Sequence, residues 1–98
     1  MKIEDLLSVA HTYRSPVYVY DADKISSQYQ RLTAAFSSVP HLRINYAMKA
    51  LSNISVLKLM KKLGAGLDTV SIQEVQLGLR AGFAPQQIIF TPNGVSID

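Results

Sequence analysis

Lys49 closes a run in which side-chain types alternate, Leu42-Arg43-Ile44-Asn45-Tyr46-Ala47-Met48-Lys49. In a strand, Arg43, Asn45, Ala47 and Lys49 would share one face, and Leu42, Ile44, Tyr46 and Met48 the other. A lysine at the carboxyl end of a strand stands where α/β folds bind ligands. It either reaches water as an ordinary surface cation or forms an imine with a carbonyl compound. The second use needs the neutral amine. An unperturbed lysine with a pKa near 10.4 is only about 0.04% neutral at pH 7, so a site must lower that pKa, at about 1.36 kcal/mol per unit. Burial would supply the shift, and the small Ala47 would leave room beside the amine for a flat ring.

Asp68 is the second candidate. It lies in Leu67-Asp68-Thr69-Val70, just before the next helix signal, so its carboxylate comes near Lys49 if the two strands are neighbours; otherwise it is an ordinary strand-end acid. Ser71 and Glu74 form an S-x-x-E capping box and are read as helix caps, the serine being worth about 1 kcal/mol. Gly64-Ala65-Gly66 falls between a helix and a strand, the reverse of the dinucleotide-binding order, and no G-x-x-x-x-G-K-[ST] loop is present. His11 and His41 stand alone, without a second ligand at metal-binding spacing, and no metal is expected.

These residues need elements to hold them. Pro16-Val17-Tyr18-Val19-Tyr20 reads as a short strand. Asp21 then caps a helix whose apolar face carries Ile25, Tyr29, Leu32 and Phe36, ending at Ser37, Ser38 and Pro40. After the Leu42–Lys49 strand, Asn53 caps a helix with Val56, Leu59, Met60 and Leu63 as its buried stripe and Gly64 as its stop. The strand at 67–70 leads into a helix carrying Val75 and Leu79 and stopped by Gly82. A last strand, Ile88-Ile89-Phe90-Thr91, enters a Pro92-Asn93-Gly94 turn. Strands alternating with helices predict an α/β fold with parallel pairing, either an open doubly wound sheet or the first part of a βα barrel.

Composition narrows the function classes. The 98 residues are 48% apolar, and ten Lys and Arg against seven Asp and Glu leave a charge of +3. One soluble domain fits that length, whereas a complete eight-stranded βα barrel takes about 250 residues. Lys58, Lys61 and Lys62 make a solvated helix face rather than a nucleic-acid footprint. The chain has no Cys, which excludes disulfides and thiolate metal sites and suits a cytoplasmic location. No apolar run approaches the roughly 18 residues of a membrane span, and Glu4 and Asp5 interrupt any secretory signal. Neither nucleic acid nor membrane is expected as a partner.

Taken in order, Tyr46-Ala47-Met48-Lys49-Ala50, then Asn53, Val56 and Leu57, then Gly64-Ala65-Gly66-Leu67-Asp68, then Val70-Ser71 and Glu74, then Ala81-Gly82-Phe83 and Ile88-Ile89-Phe90-Thr91 form a specific set. It resembles the N-terminal part of the diaminopimelate decarboxylase family, within the fold-type III pyridoxal-phosphate decarboxylases that also include the ornithine and arginine enzymes. Pro16-Val17-Tyr18-Val19-Tyr20-Asp21 is similar to that family's entry segment. Leu51 stands where the family commonly has Asn, and Val95 where it often has Lys.

The resemblance implies a TIM-like (βα)8 barrel plus a β domain. Residues 1–20 would be a helix and strand segment associated with the β domain, and residues 21–98 the first βα units of a barrel left incomplete in this chain. Lys49 would carry pyridoxal 5'-phosphate on its amine, with Ala47 and Asp68 beside the cofactor. The implied reaction is decarboxylation of an amino acid, meso-diaminopimelate to L-lysine, with the small-molecule substrate as partner and a homodimer as the assembly of the full enzyme. The family's phosphate loop, pyridine-nitrogen partner and substrate-binding residues would lie beyond Asp98, so this chain is expected to be an N-terminal fragment, inactive alone. Ornithine, arginine or carboxynorspermidine decarboxylation is the alternative within the family. A non-catalytic α/β module binding a partner through its sheet edge is the alternative outside it.

Overall fold

The computed structural model describes residues 1–92 together with Gly94 and Ser96. Its elements are helices α1 (Ile3–Tyr13) and α2 (Ala22–Ala35), strand β1 (Asn45–Ala47), helix α3 (Ile54–Leu63), strand β2 (Gly66–Thr69), helix α4 (Ile72–Ala81) and strand β3 (Ile88–Phe90). The three strands form one parallel sheet in the order β1-β2-β3. The α/β class with parallel pairing is thus as expected. Asn93 and Val95, singled out in the last turn, lie outside the described residues.

Local signals set the helix ends. The Asp21 carboxylate accepts from the N–H groups of Asp23 and Lys24, and the Asn53 side chain from those of Ser55 and Val56, so each satisfies donors that the first helical turn leaves without partners. Ser71 Oγ accepts from the Glu74 N–H at 3.2 Å. The returning Glu74 carboxylate takes the N–H of Val70, at 2.8 Å, one residue earlier than the reciprocal box predicts. Gly64 and Gly82 end α3 and α4 with φ of 97° and 102°, the left-handed region that a side chain would penalise.

Pairing decides which faces are buried. Tyr46, Leu67 and Ile88 are lateral partners and point toward α3 and α4, where they pack with Met48, Leu57, Leu77, Ala81 and Phe83. A second cluster, of Val56, Met60 and Ala65, joins α3 to Ile25 and Tyr29 of α2. Two stripes differ from expectation. Leu57, outside the predicted stripe, is fully buried, because α3 packs against the sheet and α4 on one side and against α2 on another. Burying such a side chain stabilises by roughly 1.5–3 kcal/mol. On α4 the core positions are Gly78 and Ala81, while Leu79 is exposed; only small residues allow the helix to approach Leu67 closely. Leu32 and Phe36 continue the α2 stripe onto exposed surface.

Residues 16–20 form no strand. Their side chains favour extended chain, but a strand also needs a neighbouring backbone to pair with, and the described residues offer none. Helix α1 before them buries nothing. The amino group of Met1 lies 3.4 Å from the Asp21 carboxylate, tying the start of α1 to the start of α2. No helix among the described residues is long and apolar enough to cross a membrane.

Candidate active site

The sheet face turned away from α3 and α4 carries the predicted site. Register pairs Ala47 with Asp68, and Asp68 with Ile89, so the three share that face side by side in parallel strands. The adjacency required for Asp68 to matter is met: β1 and β2 are neighbours, and Asp68 stands beside Ala47, two residues from Lys49.

Lys49 itself is not on the strand. The predicted run to residue 49 stops at Ala47, and Met48–Ala50 form a 3₁₀ turn. The Leu51 N–H donates to the Met48 carbonyl at 3.1 Å. Met48 is fully buried and anchors the turn, whereas Lys49 is exposed. Burial of the amine, expected from the imine chemistry, is not supplied by these residues. Lys49 makes no ion pair or hydrogen bond among the described residues; the ion pair found there joins Met1 and Asp21.

Two hydroxyls missed by sequence reasoning complete the site. Tyr46, read only as an apolar position, donates its hydroxyl to the Leu51 carbonyl at 2.7 Å, spanning the turn that bears Lys49. Burial, with a smaller effect from Tyr20, raises its pKa above the ordinary 10.0, so the hydroxyl stays protonated and able to donate. Thr91 donates to Asp68 Oδ1 at 2.9 Å. Its position was legible only through the register that places β3 beside β2.

At the opposite end of the same face, the Arg43 guanidinium donates to Asn45 Oδ1 at 3.1 Å and to the Gln86 carbonyl at 3.0 Å. The two side chains lie over Gly66, where a Cβ would meet Asn45 Oδ1 and come within 2.9 Å of Arg43 Nε. Arg43 thus links the segments that lead into the sheet's two outer strands, away from Lys49. His11 lies in the last turn of α1 and His41 sits in a turn with φ of 58°, and no group of three His, Cys, Asp or Glu able to hold a metal occurs among the described residues.

A family model described as pyridoxal-dependent decarboxylase, pyridoxal binding domain, matches residues 22–96. The chain belongs to that family. The diaminopimelate decarboxylase of Helicobacter pylori strain J99 is 46% identical over 87% of this chain and 21% of its own length. That of Methanothermobacter thermautotrophicus is 38% identical over 96% of this chain and 22% of its own. A crystal structure of diaminopimelate decarboxylase from H. pylori complexed with L-lysine superposes with a TM-score of 0.79, at 38% identity, over 97% of this chain and 23% of that one. The chain therefore spans about a fifth of the length of the curated relatives it matches.

The residues present fit the family's pyridoxal cofactor at its carbonyl end. They offer an amine and a carboxylate on the adjoining strand, the amine without a partner and the carboxylate with one oxygen engaged among the described residues, and between them a side chain no larger than a methyl group. No described strand leads into a glycine-rich phosphate loop.

Proposed function

We propose that this chain supplies the cofactor-bearing lysine and the first βα units of a diaminopimelate decarboxylase acting on meso-diaminopimelate to give L-lysine. The observation that carries the reading is the placement of Lys49 just past the end of β1, with Ala47 and Asp68 in register on the open face of a parallel sheet. Relatives bearing that enzyme's name, at 38–46% identity, support the diaminopimelate branch over the ornithine, arginine and carboxynorspermidine ones.

In this reading the sheet continues into a TIM-like barrel formed with chain outside these 98 residues, and residues 1–20 serve the β domain. Lys49 holds pyridoxal 5'-phosphate covalently, Ala47 leaves room for its ring, and Asp68 orients it from the side. When bound, the cofactor supplies an electron sink for loss of carbon dioxide. Further chain encloses the Lys49 amine, which these residues leave exposed. The full enzyme works in the cytoplasm as a homodimer.

The test is trapping. The full-length enzyme that carries this segment is incubated with pyridoxal phosphate, reduced with borohydride and mapped by mass spectrometry. Adduct concentrated on Lys49 supports the reading. Adduct spread evenly over Lys2, Lys24, Lys58, Lys61 and Lys62 as well would overturn it in favour of a non-catalytic module.

A further inference from the structure

On the open sheet face, the Thr91 hydroxyl is the group in contact with Asp68 that the cofactor assignment leaves without a role. It has two acceptors in reach, Asp68 Oδ1 at 2.9 Å and the Thr69 carbonyl at 3.3 Å, but only one proton to give. The shorter contact, to a charged oxygen, is the stronger. The carbonyl also accepts the Thr91 backbone N–H at 2.8 Å. That backbone bond extends the β2–β3 ladder past Phe90, and the Thr69 hydroxyl reinforces it by donating to the Ile89 carbonyl at 2.8 Å. Thr91 is thus held at its backbone, and its β-branched side chain has few rotamers to choose from.

Register gives this bond a direction. Asp68 has Ala47 on its β1 side and Ile89 on its β3 side, and Thr91 lies two residues beyond Ile89 on the same face. The hydroxyl therefore takes Oδ1 from the β3 side, while Oδ2 accepts from none of the described residues. A carboxylate without such a tether turns about χ1 and χ2 and presents either oxygen. We propose that Thr91 is a positioning residue that pins Asp68 in one rotamer, so that its second oxygen is presented toward Ala47 and the Lys49 turn.

The inference deepens the cofactor reading and rests on it for its consequence, but the geometry is tested without cofactor. Three-bond couplings of Asp68 measured by NMR report its χ1 rotamer in the 98-residue chain. One dominant rotamer is expected in the wild type and in Thr91→Ser, which keeps the hydroxyl, and averaged couplings in the near-isosteric Thr91→Val. An Asp68 that keeps a single rotamer in Thr91→Val overturns the proposal. Trapping with pyridoxal phosphate and borohydride, in the full-length enzyme that carries this segment, then reads the consequence. Labelling at Lys49 should fall about ten-fold in Thr91→Val, the size set by one hydrogen bond to a charged group, and recover in Thr91→Ser. Equal Lys49 labelling in all three chains also overturns it. Wild-type labelling with no preference for Lys49 instead sinks the cofactor reading and leaves the rotamer result standing.

Discussion

The Tyr46 hydroxyl donates to the carbonyl oxygen of Leu51 at 2.7 Å, and Lys49 lies between these two residues on the turn they enclose. The bond is made from the sheet face that packs on α3 and α4, so the turn is braced from within the core while its lysine remains outside.

Tyr46→Phe keeps the ring and removes the brace, and should cost about 1 kcal/mol. The loss depends on pH. Burial raises the folded-state pKa of Tyr46 above the ordinary 10.0, so its protonated hydroxyl stabilises fully below that value, and the contribution fades as pH rises toward the folded pKa. The stability gap between wild type and Tyr46→Phe, measured by urea denaturation, should therefore narrow above pH 10.0. A gap that stays constant into the alkaline range would count against the brace.

What could be read from the sequence divides along physical lines. The caps at Asp21, Asn53 and Ser71 and the stops at Gly64 and Gly82 are local arrangements spelled by adjacent residues, and they appear where expected. Leu57 and the 3₁₀ turn at Lys49 were misread because both depend on where neighbouring elements pack. The pairing of Ala47 with Asp68 has no local signal at all, since register between parallel strands is set by the whole layer of helices behind them. Lys49 itself was singled out less by alternation, which placed it on a strand it does not join, than by the ordered set of motifs around it.

Glu74→Ala should destabilise the joint between β2 and α4 by about 1–2 kcal/mol, because it leaves the Val70 N–H without its acceptor. Hydrogen exchange gives a residue-specific check. The Val70 amide should exchange faster in Glu74→Ala than in Ser71→Ala, where the Glu74 N–H is the group exposed instead. Equal rates at Val70 in the two variants would show that the carboxylate does not protect it.

Asp21 gives the acid counterpart. The Lys24 N–H holds its carboxyl below the ordinary 3.8, desolvation opposes this, and the Met1 amino group and the Asp23 N–H add to the lowering. A depressed carboxylate stabilises fully above its unfolded value and loses that contribution as pH falls through the folded one. Asp21→Asn retains a capping oxygen but has no charge to lose. The melting temperature of wild type should exceed that of Asp21→Asn at neutral pH, and the difference should shrink as pH falls below 3.8. A difference that does not change with pH would assign the stabilisation to the cap alone.

Gly78→Ala sets two known effects against each other. Alanine in a helix interior gains about 1 kcal/mol over glycine. Here the new methyl would sit 2.5 Å from Leu67 Cδ2 and 3.4 Å from Ile88 Cδ1. The end of a leucine can swing aside where there is space, but Leu67 is fully buried, packed in one cluster with Met48, Leu57, Ala81 and Phe83. Overpacking of this kind costs about 1–3 kcal/mol, so the clash should win and Gly78→Ala should lower the urea midpoint. The sign should reverse once the obstruction is removed. In a Leu67→Ala background, itself weakened by about 2–5 kcal/mol, Gly78→Ala should recover stability, because only the helix preference then remains and the added methyl fills part of the space. Stabilisation by Gly78→Ala in the wild-type background would mean that α4 rides higher over β2 than this packing allows.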